Sequence, residues 1–226
     1  MEKTDKDKVF VVIPAHNEEK NIVEVISRTR KFIDNIIVVE DGSSDSTRNL
    51  AKEAGAVVLS HIVNMGKGAA LKTGCDYALS KGAEIMIAVD ADCQHDPEEI
   101  PNFLGKIREG KGIVFGYRRF NKDMPLILRL GNKIISTTAN ILYHIRLYDT
   151  QCGYKAYTRE AYKKIRWSSD DYSMESEIVA KVGRYHLEYS QIPIKTVYSD
   201  RYKGTTILDG GKIVINMIFW WFRFVI

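Results

Sequence analysis

The stretch from Ile85 to Ile100, IMIAVDADCQHDPEEI, opens with a short apolar run and continues into a cluster of acids. Five of its first six residues are apolar, which is typical of a strand buried inside a sheet. Asp90, Asp92 and Asp96 then follow within seven residues. Because like charges repel one another, this pattern predicts that something positively charged binds where the strand ends.

Similar apolar runs alternate with helical patterns along the first half of the chain. The predicted strands are Val9–Pro14, Asn35–Glu40, Ala56–Ser60, Ile85–Asp90 and Ile113–Tyr117. Helical patterns occur near residues 18–33, 45–54, 67–81 and 97–109. The second half adds a long helix, Pro125–Arg146, and two further strands, Cys152–Thr158 and Ile192–Tyr198. This alternation predicts an α/β fold with a mostly parallel central sheet that helices cover on both faces.

A polar cluster follows each of the first four predicted strands. In chain order these clusters read AHNEE, DGSSDS, HIVNMGKG and ADCQHD. In open α/β sheets, ligands bind in the crevice beyond the carboxyl ends of the strands. We therefore expect the four clusters to form one shared site at one edge of the sheet.

Composition narrows the classes of function. The 226-residue chain is 45% hydrophobic and 27% charged, which suits one domain with an ordinary core. Its formal net charge of +4 is far from that of a polybasic protein, so no nucleic-acid partner is expected. The three cysteines form no CxxC pair and the N-terminus MEKTDKDK shows no signal peptide, so we expect a reduced, cytoplasmic setting.

The acidic cluster suits a hard divalent cation, Mg²⁺ or Mn²⁺, because its ligands are oxygens. Asp92 and Gln94 lie two residues apart and can share a metal, while Asp90 can reach a ribose or the water shell of the metal. A calcium loop would need glycine and glutamate where the chain has His95 and Pro101. The remaining alternative is a set of helix-capping acids, and this role is expected for Asp96 in particular.

The chain resembles the family-2 glycosyltransferases in five motifs that occur in order between about Val9 and Tyr202. They are VVIPAHNEE, VVEDGSSDST, NMGKGAALKTG, VDADCQHDPEEIP and DTQCGYKAY. The third lacks the Ser or Thr that a phosphate-binding P-loop has after its lysine. More narrowly, the five motifs resemble the dolichyl- or polyprenyl-phosphate sugar synthases. The resemblance implies a nucleotide-sugar-binding, Rossmann-like domain of the GT-A type, with an Asp-x-Asp motif.

The resemblance also assigns roles to individual residues. It places Asp41 at the nucleotide base, and Arg201 and Lys203 in a basic loop over the donor diphosphate. The donor-binding residues that it implies are Pro14, His16, Glu18, Asp41, Lys67, Asp90, Asp92, Arg201 and Lys203. It places the metal on Asp90, Asp92 and Gln94, and the acceptor phosphate on Arg118, Arg129 and Ser136. Asp92, Arg118 and Arg129 are then the expected catalytic residues.

The implied reaction moves a hexose, with inversion, from a UDP- or GDP-sugar to a dolichyl or polyprenyl phosphate, for glycan assembly such as protein N-glycosylation. A phosphate monoester is largely ionised at neutral pH, since its second pKa is about 6, so no general base is required. Transfer to a saccharide hydroxyl would instead need a base, for which Glu175 or Glu177 are candidates. A non-catalytic nucleotide-sugar-binding module on a membrane is a third interpretation, and the intact acidic motif argues against it. A sugar-nucleotide pyrophosphorylase is disfavoured because the loop AHNEE is acidic.

The long helix of the second half carries polar residues at helical spacing, namely Arg129, Lys133, Ser136 and Asn140. Two interpretations remain open for this stripe. It is either a solvated face, or an anion site formed together with Arg118 and Arg119.

The C-terminal stretch Lys212–Ile226, KIVINMIFWWFRFVI, is the most apolar segment of the chain. Spanning a bilayer takes about 20 apolar residues, so this segment is too short to cross one. Trp220, Trp221 and Arg223 suit the headgroup region. We therefore expect a catalytic domain over 1–205 and an amphipathic membrane-interface helix over 206–226, on the cytoplasmic face of the membrane. A buried terminal helix or a dimer contact is the alternative.

Overall fold

The computed structural model describes residues 8–118, 126–195 and 207–225. The strands are β1 (Val9–Ala15), β2 (Ile36–Asp41), β3 (Val57–His61), β4 (Ile85–Ala88), β5 (Ile113–Arg118), β6 (Lys155–Thr158) and β7 (Tyr189–Ile194). The helices are α1 (Ile22–Arg30), α2 (Thr47–Glu53), α3 (Lys67–Ser80), α4 (Ile100–Arg108), α5 (Leu126–Tyr143), α6 (Arg159–Ile165), α7 (Met174–Arg184) and α8 (Ile207–Val225). A 3₁₀ turn, Pro97–Glu99, precedes α4.

The seven strands form one sheet in the order β3-β2-β1-β4-β6-β5-β7. Strands β1 to β4 pair in parallel, and so do β5 and β7. Only β6 runs antiparallel to its neighbours, β4 and β5. The prediction of a mostly parallel α/β sheet is therefore confirmed. The segment before β6 reaches the same edge as the carboxyl ends of β4 and β5, because β6 is reversed.

Helices pack on both faces of the sheet, because the strands are apolar on both sides. In β1, Val9, Val11 and Ile13 face a core that also contains buried residues of α1 and α4. Phe10 and Val12 face a second core with buried residues of α3, α5, α7 and α8. This three-layer arrangement leaves the edges of the sheet as the place where polar loops gather.

Some element boundaries differ from the prediction. Strand β4 ends at Ala88 rather than Asp90, so the carboxylate of Asp90 leaves the pleat. Helix α5 ends at Tyr143, and the next residue, His144, has a φ of 53°, in the left-handed region that a helix cannot continue through. The last strand begins at Tyr189, before the predicted Ile192. The cap predicted at Asp96 is confirmed, since its side chain accepts from the Glu98 N–H.

The polar residues of α5 do not form one solvated stripe. Ser136 is buried and its hydroxyl lies 3.3 Å from the hydroxyl of Thr150. The side-chain amide of Asn140 bonds to both backbone groups of Leu147, at 2.9 Å each. Neither open interpretation of the stripe describes Ser136 and Asn140, because both side chains bond to the returning loop, whose backbone groups need hydrogen-bond partners.

Helix α8 packs on the protein with one face and exposes the other. Ile213, Met217 and Trp220 are buried in the core shared with α5 and α7. The expectation that Trp220 meets lipid is therefore wrong, because its ring is only 7% exposed. Among the described residues, no helix combines the length and apolarity needed to cross a membrane.

Candidate active site

A cavity of about 390 Å³ opens at the carboxyl edge of the sheet, where the four polar clusters were expected to meet. The last residue of β2 and the segments that follow β1, β3 and β4 contribute to its lining, together with the end of β5 and the segment before β6. Nine of the residues proposed for the site line this cavity, namely Pro14, His16, Glu18, Asp41, Lys67, Asp90, Asp92, Gln94 and Arg118. The topology therefore brings most of the predicted site together.

Lys67 and Asp90 form an ion pair in the centre of this cavity. Lys67 is the first residue of α3. Its ammonium lies 2.6 Å from a carboxylate oxygen of Asp90. Burial alone would lower the pKa of Lys67, but the charges of Asp90 and Glu175 raise it above its ordinary value. Gly153 covers the pair so closely that a Cβ added there would lie 2.6 Å from the Lys67 nitrogen. This position has no room for a side chain.

The two aspartates of the acidic motif have opposite electrostatic environments. Burial raises the pKa of Asp92 to about 6, and the charge of Asp90 adds to that effect. Burial acts the same way on Asp90, but Lys67 outweighs it and holds the pKa of Asp90 at about 2. Burial also lowers the pKa of His95 to about 4, so this ring is neutral at neutral pH. The charge of Asp92 is thus only partly compensated, by Lys67 and by the backbone N–H of Gln94.

Asp41 fixes the loop that leads into α3. Its carboxylate accepts from the Nδ1–H of His61 at 2.6 Å and from the backbone N–H groups of Met65 at 2.9 Å and Gly66 at 2.8 Å. A carboxylate offers about four acceptor positions, so these bonds occupy most of them. The role at a nucleotide base stays a prediction, and the structure adds a second role in shaping the loop.

The loop after β1 is held against the end of β2 and the loop that follows it by hydrogen bonds. His16 donates from Nδ1 to the backbone carbonyl of Asp41 at 2.8 Å. The backbone N–H of Glu18 donates to the hydroxyl of Thr47 at 2.8 Å, and that of Asn17 donates to Ser43 at 3.0 Å. These contacts fix the walls of the cavity before any ligand binds.

Arg118, at the end of β5, lines the cavity and forms an ion pair with Asp149. Its Nε and Nη2 donate to the two carboxylate oxygens of Asp149, at 2.7 and 3.1 Å. Burial alone would raise the pKa of Asp149, but the guanidinium lowers it below its ordinary value. The backbone N–H of Gln151 also donates to Asp149, at 3.2 Å. Asp149 therefore sets the orientation of Arg118.

The other predicted acceptor residues are not brought to the cavity or are not described. Ser136 is absent from the lining of the cavity and bonds to Thr150 instead. The described part of α5 includes the backbone of Arg129 but not its side chain, and Arg201 and Lys203 lie outside the described residues. Their roles stay predictions.

Sequence reasoning missed several residues that line the cavity or support it. Gln151, Gly153 and Tyr172 contribute to the lining, and Lys155 lies buried next to it. The motif DTQCGYKAY contains three of these four residues, yet it was used only as a mark of resemblance. Its Gly153, inside the predicted strand Cys152–Thr158, was the available signal, because a glycine within a strand often marks a close approach of other groups.

A mostly parallel α/β sheet with acidic and basic side chains at its carboxyl edge defines a domain of the GT-A type. The model of the family "Glycosyl transferase family 2" matches residues 10–166. The chain belongs to this family and is a glycosyltransferase.

Three comparisons illustrate the relationship. An uncharacterised protein of Methanocaldococcus jannaschii is 37% identical, with 95% of this chain and 92% of that protein covered. The UDP-N-acetylglucosamine–dolichyl-phosphate N-acetylglucosaminyltransferase of Methanococcus voltae is 31% identical, with 93% of this chain and 94% of that protein covered. Among solved structures, glucosyl-3-phosphoglycerate synthase of Mycobacterium tuberculosis with Mn²⁺, UDP-glucose and phosphoglyceric acid gives a TM-score of 0.72. It is 21% identical and the match covers 97% of this chain and 80% of that one, a likeness of fold.

Proposed function

We propose that this glycosyltransferase moves a sugar from a UDP-sugar to a polyprenyl phosphate, with inversion at the anomeric carbon. The observation that carries the proposal is that Asp90, Asp92 and Gln94 share one cavity with Arg118. The cavity then has an acidic half, which suits a metal ion bound to the donor diphosphate. It also has a basic half at Arg118, which suits the phosphate of the acceptor. The Methanococcus voltae relative, named for UDP-N-acetylglucosamine and dolichyl phosphate, supports this choice of donor and acceptor.

The acidic half fits a Mg²⁺ or Mn²⁺ ion. Two carboxylates and one side-chain amide are hard oxygen ligands, and Asp92 has the raised pKa of a carboxylate that lacks a cation. The described residues contain no cluster of three or more His, Cys, Asp or Glu side chains that could hold a metal. Mg²⁺ does not need such a cluster, because it usually takes one or two carboxylates and completes its shell with water and substrate phosphates. Asp90, Asp92 and Gln94 would hold the ion, which would offset charge on the departing diphosphate.

The basic half orients the nucleophile rather than deprotonating it. An acceptor phosphate is already ionised at neutral pH, so the chain has to place its oxygen in line with the anomeric carbon. Arg118 is suited to this because Asp149 has already fixed the plane of its guanidinium. Arg129, Arg201 and Lys203 complete the proposal as further phosphate contacts, the last two over the donor diphosphate.

The acceptor lies in a bilayer, so the enzyme must reach a membrane surface, which we place on the cytoplasmic side. Large apolar side chains are exposed at helical spacing on α5 and α8. We call them the apolar face, and they are Leu130, Ile134, Ile141, Ile215, Ile218, Phe219 and Phe222. Exposed apolar side chains grouped in this way mark interaction surfaces, and a lipid interface is the occupant that the acceptor requires.

A second candidate is transfer to a saccharide hydroxyl, which Glu175 favours because it lines the same cavity. The two functions give different products. A sugar-phosphate-lipid is cleaved by mild acid, whereas an ordinary glycoside survives.

The test uses the whole chain, Mn²⁺, radiolabelled UDP-sugars and a lipid extract, with GDP-sugars in parallel. We expect label to enter a mild-acid-labile lipid, and to do so from a UDP-sugar. Label in an acid-stable product would support the hydroxyl acceptor. Transfer from GDP-sugars alone would overturn the proposed donor.

A further inference from the structure

A buried ion pair between Lys155 and Glu175 lies beside the cavity, and transfer to a polyprenyl phosphate as proposed above does not use it. Lys155 begins β6 and is completely buried, and Glu175, in the first turn of α7, is 2% exposed. The ammonium of Lys155 donates to Oε2 of Glu175 and to the backbone carbonyl of Cys152. It also lies 5.8 Å from the centre of the Phe115 ring. A pair of charges this deep is costly to desolvate and needs a reason.

One oxygen of this pair has no partner. Oε1 of Glu175 is buried and accepts no hydrogen bond from any described residue. Leaving a buried acceptor unsatisfied is unfavourable, and more so when the group is charged. Oε1 of Glu175 therefore lacks a hydrogen-bond partner among the described residues, although Lys155 holds the other oxygen in place.

Glu177, two residues further along α7, shows how this chain treats a purely structural buried carboxylate. It is also completely buried, yet it accepts from the backbone N–H groups and hydroxyls of Ser168 and Ser169. Lys181 lies 2.7 Å from it as well. Every acceptor position that Glu177 needs is filled from within the fold, which is the opposite of Glu175.

The surroundings of Glu175 indicate what kind of ligand group would complete it. Glu175 lines the cavity together with Lys67, Asp90 and Gly153. An ionised carboxylate accepts hydrogen bonds and repels phosphate oxygens. Its partner must therefore be an uncharged donor attached to the ligand, and a nucleotide sugar carries such donors on its sugar ring.

We propose that Glu175 recognises a hydroxyl group of the transferred sugar. This hydroxyl donates a hydrogen bond to Oε1, while Lys155 holds the carboxylate in place. This inference rests on the proposed function, since it takes the ligand to be a nucleotide sugar. Glu175 is then a specificity-determining residue and not a general base. A site built to hydrogen-bond a substrate hydroxyl discriminates strongly against an analogue that lacks it.

The test is Glu175→Gln, which reverses the polarity of this contact. The ammonium of Lys155 can only donate, so it holds the amide oxygen and leaves the NH₂ group for the ligand. We expect the affinity for UDP to stay within about twofold of the wild type, since UDP has a ribose but lacks the transferred sugar that Glu175 would bind. We expect kcat/KM for the UDP-sugar to fall by roughly tenfold, because a charge-assisted hydrogen bond is replaced by the weaker neutral one that the amide can donate to the hydroxyl.

Donor analogues that each lack one hydroxyl locate the contact. For one of them, Glu175→Gln should lose little further activity, because the hydrogen bond is already missing. Glu175→Asp keeps the negative charge near Lys155, but its shorter side chain moves the carboxylate away from the ligand. It should show the same pattern of activities across the analogues, with smaller differences. The matched control is Glu177→Gln, which should lower the melting temperature and leave the pattern across the analogues unchanged.

An equal loss on the parent sugar and on every analogue would overturn the inference and indicate a general base or a structural role. Unchanged kcat/KM in Glu175→Gln would overturn it as well. A failure of the proposed function is distinguishable, because the wild-type protein would then bind no UDP-sugar in calorimetry or transfer no label to polyprenyl phosphate.

Discussion

The two parts of the molecule that we propose to bind the donor and the acceptor, called here the donor half and the acceptor half, are built differently. The donor half, at the ends of β1, β2 and β4, consists of short loops that hydrogen-bond to one another, as Asp41 does to His61 and Gly66. The acceptor half, around β5, α5 and α8, depends on a long-range ion pair between Arg118 and Asp149 and on an exposed apolar face. The first is preorganised by the protein alone, whereas the second is suited to meet another surface.

The largest expected effect falls on the donor half. Replacing Asp92 with alanine should reduce transfer by about 10²- to 10³-fold, because the charge on the departing diphosphate is no longer offset. The variant should melt no lower than the wild type without metal, because burial and Asp90 raise the pKa of Asp92, so its charge destabilises the metal-free fold. Radiolabel transfer and thermal melting with and without Mn²⁺ measure the two effects.

Asp96 provides the control for this variant. It belongs to the same acidic cluster but caps the turn before α4 and pairs with Arg28 at 2.6 Å. Asp96→Ala should therefore reduce stability and leave transfer nearly intact. Full transfer by Asp92→Ala, or by wild-type enzyme stripped of divalent ions, would contradict the donor half as described.

The second prediction concerns Gly153, which contacts the Lys67–Asp90 pair. A methyl group there would lie 2.6 Å from both the Lys67 nitrogen and an Asp90 oxygen, so Gly153→Ala must displace the pair. Shifts of about 1 Å at a reacting centre can cost about 100-fold in rate, and we expect a loss of this size with the fold retained. Transfer kinetics and circular dichroism measure it.

Gly105→Ala is the matched control for this substitution. Gly105 lies within α4 and a Cβ there meets nothing within 4 Å. Alanine is also a better helix former than glycine by about 1 kcal/mol, so this variant should be at least as stable and fully active. Equal activities of the two alanine variants would show that the contact at Gly153 is unimportant.

The third prediction concerns the link between Asp149 and Arg118. Asp149→Asn leaves the partly exposed guanidinium of Arg118 without this counter-charge, which should cost about 1.5–3 kcal/mol of unfolding free energy at pH 7, the worth of a hydrogen bond between charged groups. Transfer should fall mainly through a higher KM for the acceptor, by about tenfold, because a less oriented guanidinium still attracts phosphate. Urea unfolding and acceptor kinetics measure both.

The pH dependence identifies the source of that stability. The pKa of Asp149 in the folded protein is below its unfolded value, so its contribution is present above about pH 4 and is lost as the pH falls through the folded pKa. The stability difference between Asp149→Asn and the wild type should therefore shrink below that pH. A difference that stays constant down to pH 3 would mean that packing, and not charge, is responsible.

The two halves also differ in how well the sequence predicts them. The donor loops follow strands directly, so a local apolar run was enough to predict Asp90 at the carboxyl end of a strand, within two residues of where β4 ends. The pairs Arg118–Asp149 and Lys155–Glu175 could not, because they form only when β6 inserts antiparallel between β4 and β5. Local periodicity contains no information on that insertion, and for the same reason it did not predict that Ser136 and Asn140 of α5 bond to Thr150 and Leu147.

The smallest effect on the chemical step is expected at the apolar face, where Phe219 and Phe222 are 56% and 52% exposed. Burying one such side chain in lipid is worth about 1.5–3 kcal/mol, so replacing both with serine should weaken binding to vesicles by more than about tenfold. Transfer to a short, water-soluble prenyl phosphate should be unchanged, because neither residue lines the cavity. Vesicle flotation and transfer assays with short and long acceptors separate the two steps.

Point substitutions test membrane binding more specifically than removal of the C-terminal helix does. Removing α8 would also take Met217 and Ile213 out of the core and so disturb the fold. Met217→Ser is therefore the control: it should lower the melting temperature and spare vesicle binding in the protein that remains folded. If the wild type is a dimer that Phe219→Ser and Phe222→Ser convert to a monomer, with flotation unchanged, a second copy and not a bilayer covers this face. In that event the acceptor half reaches its lipid substrate by another surface, and the contrast with the preorganised donor half rests on Arg118 and Asp149 alone.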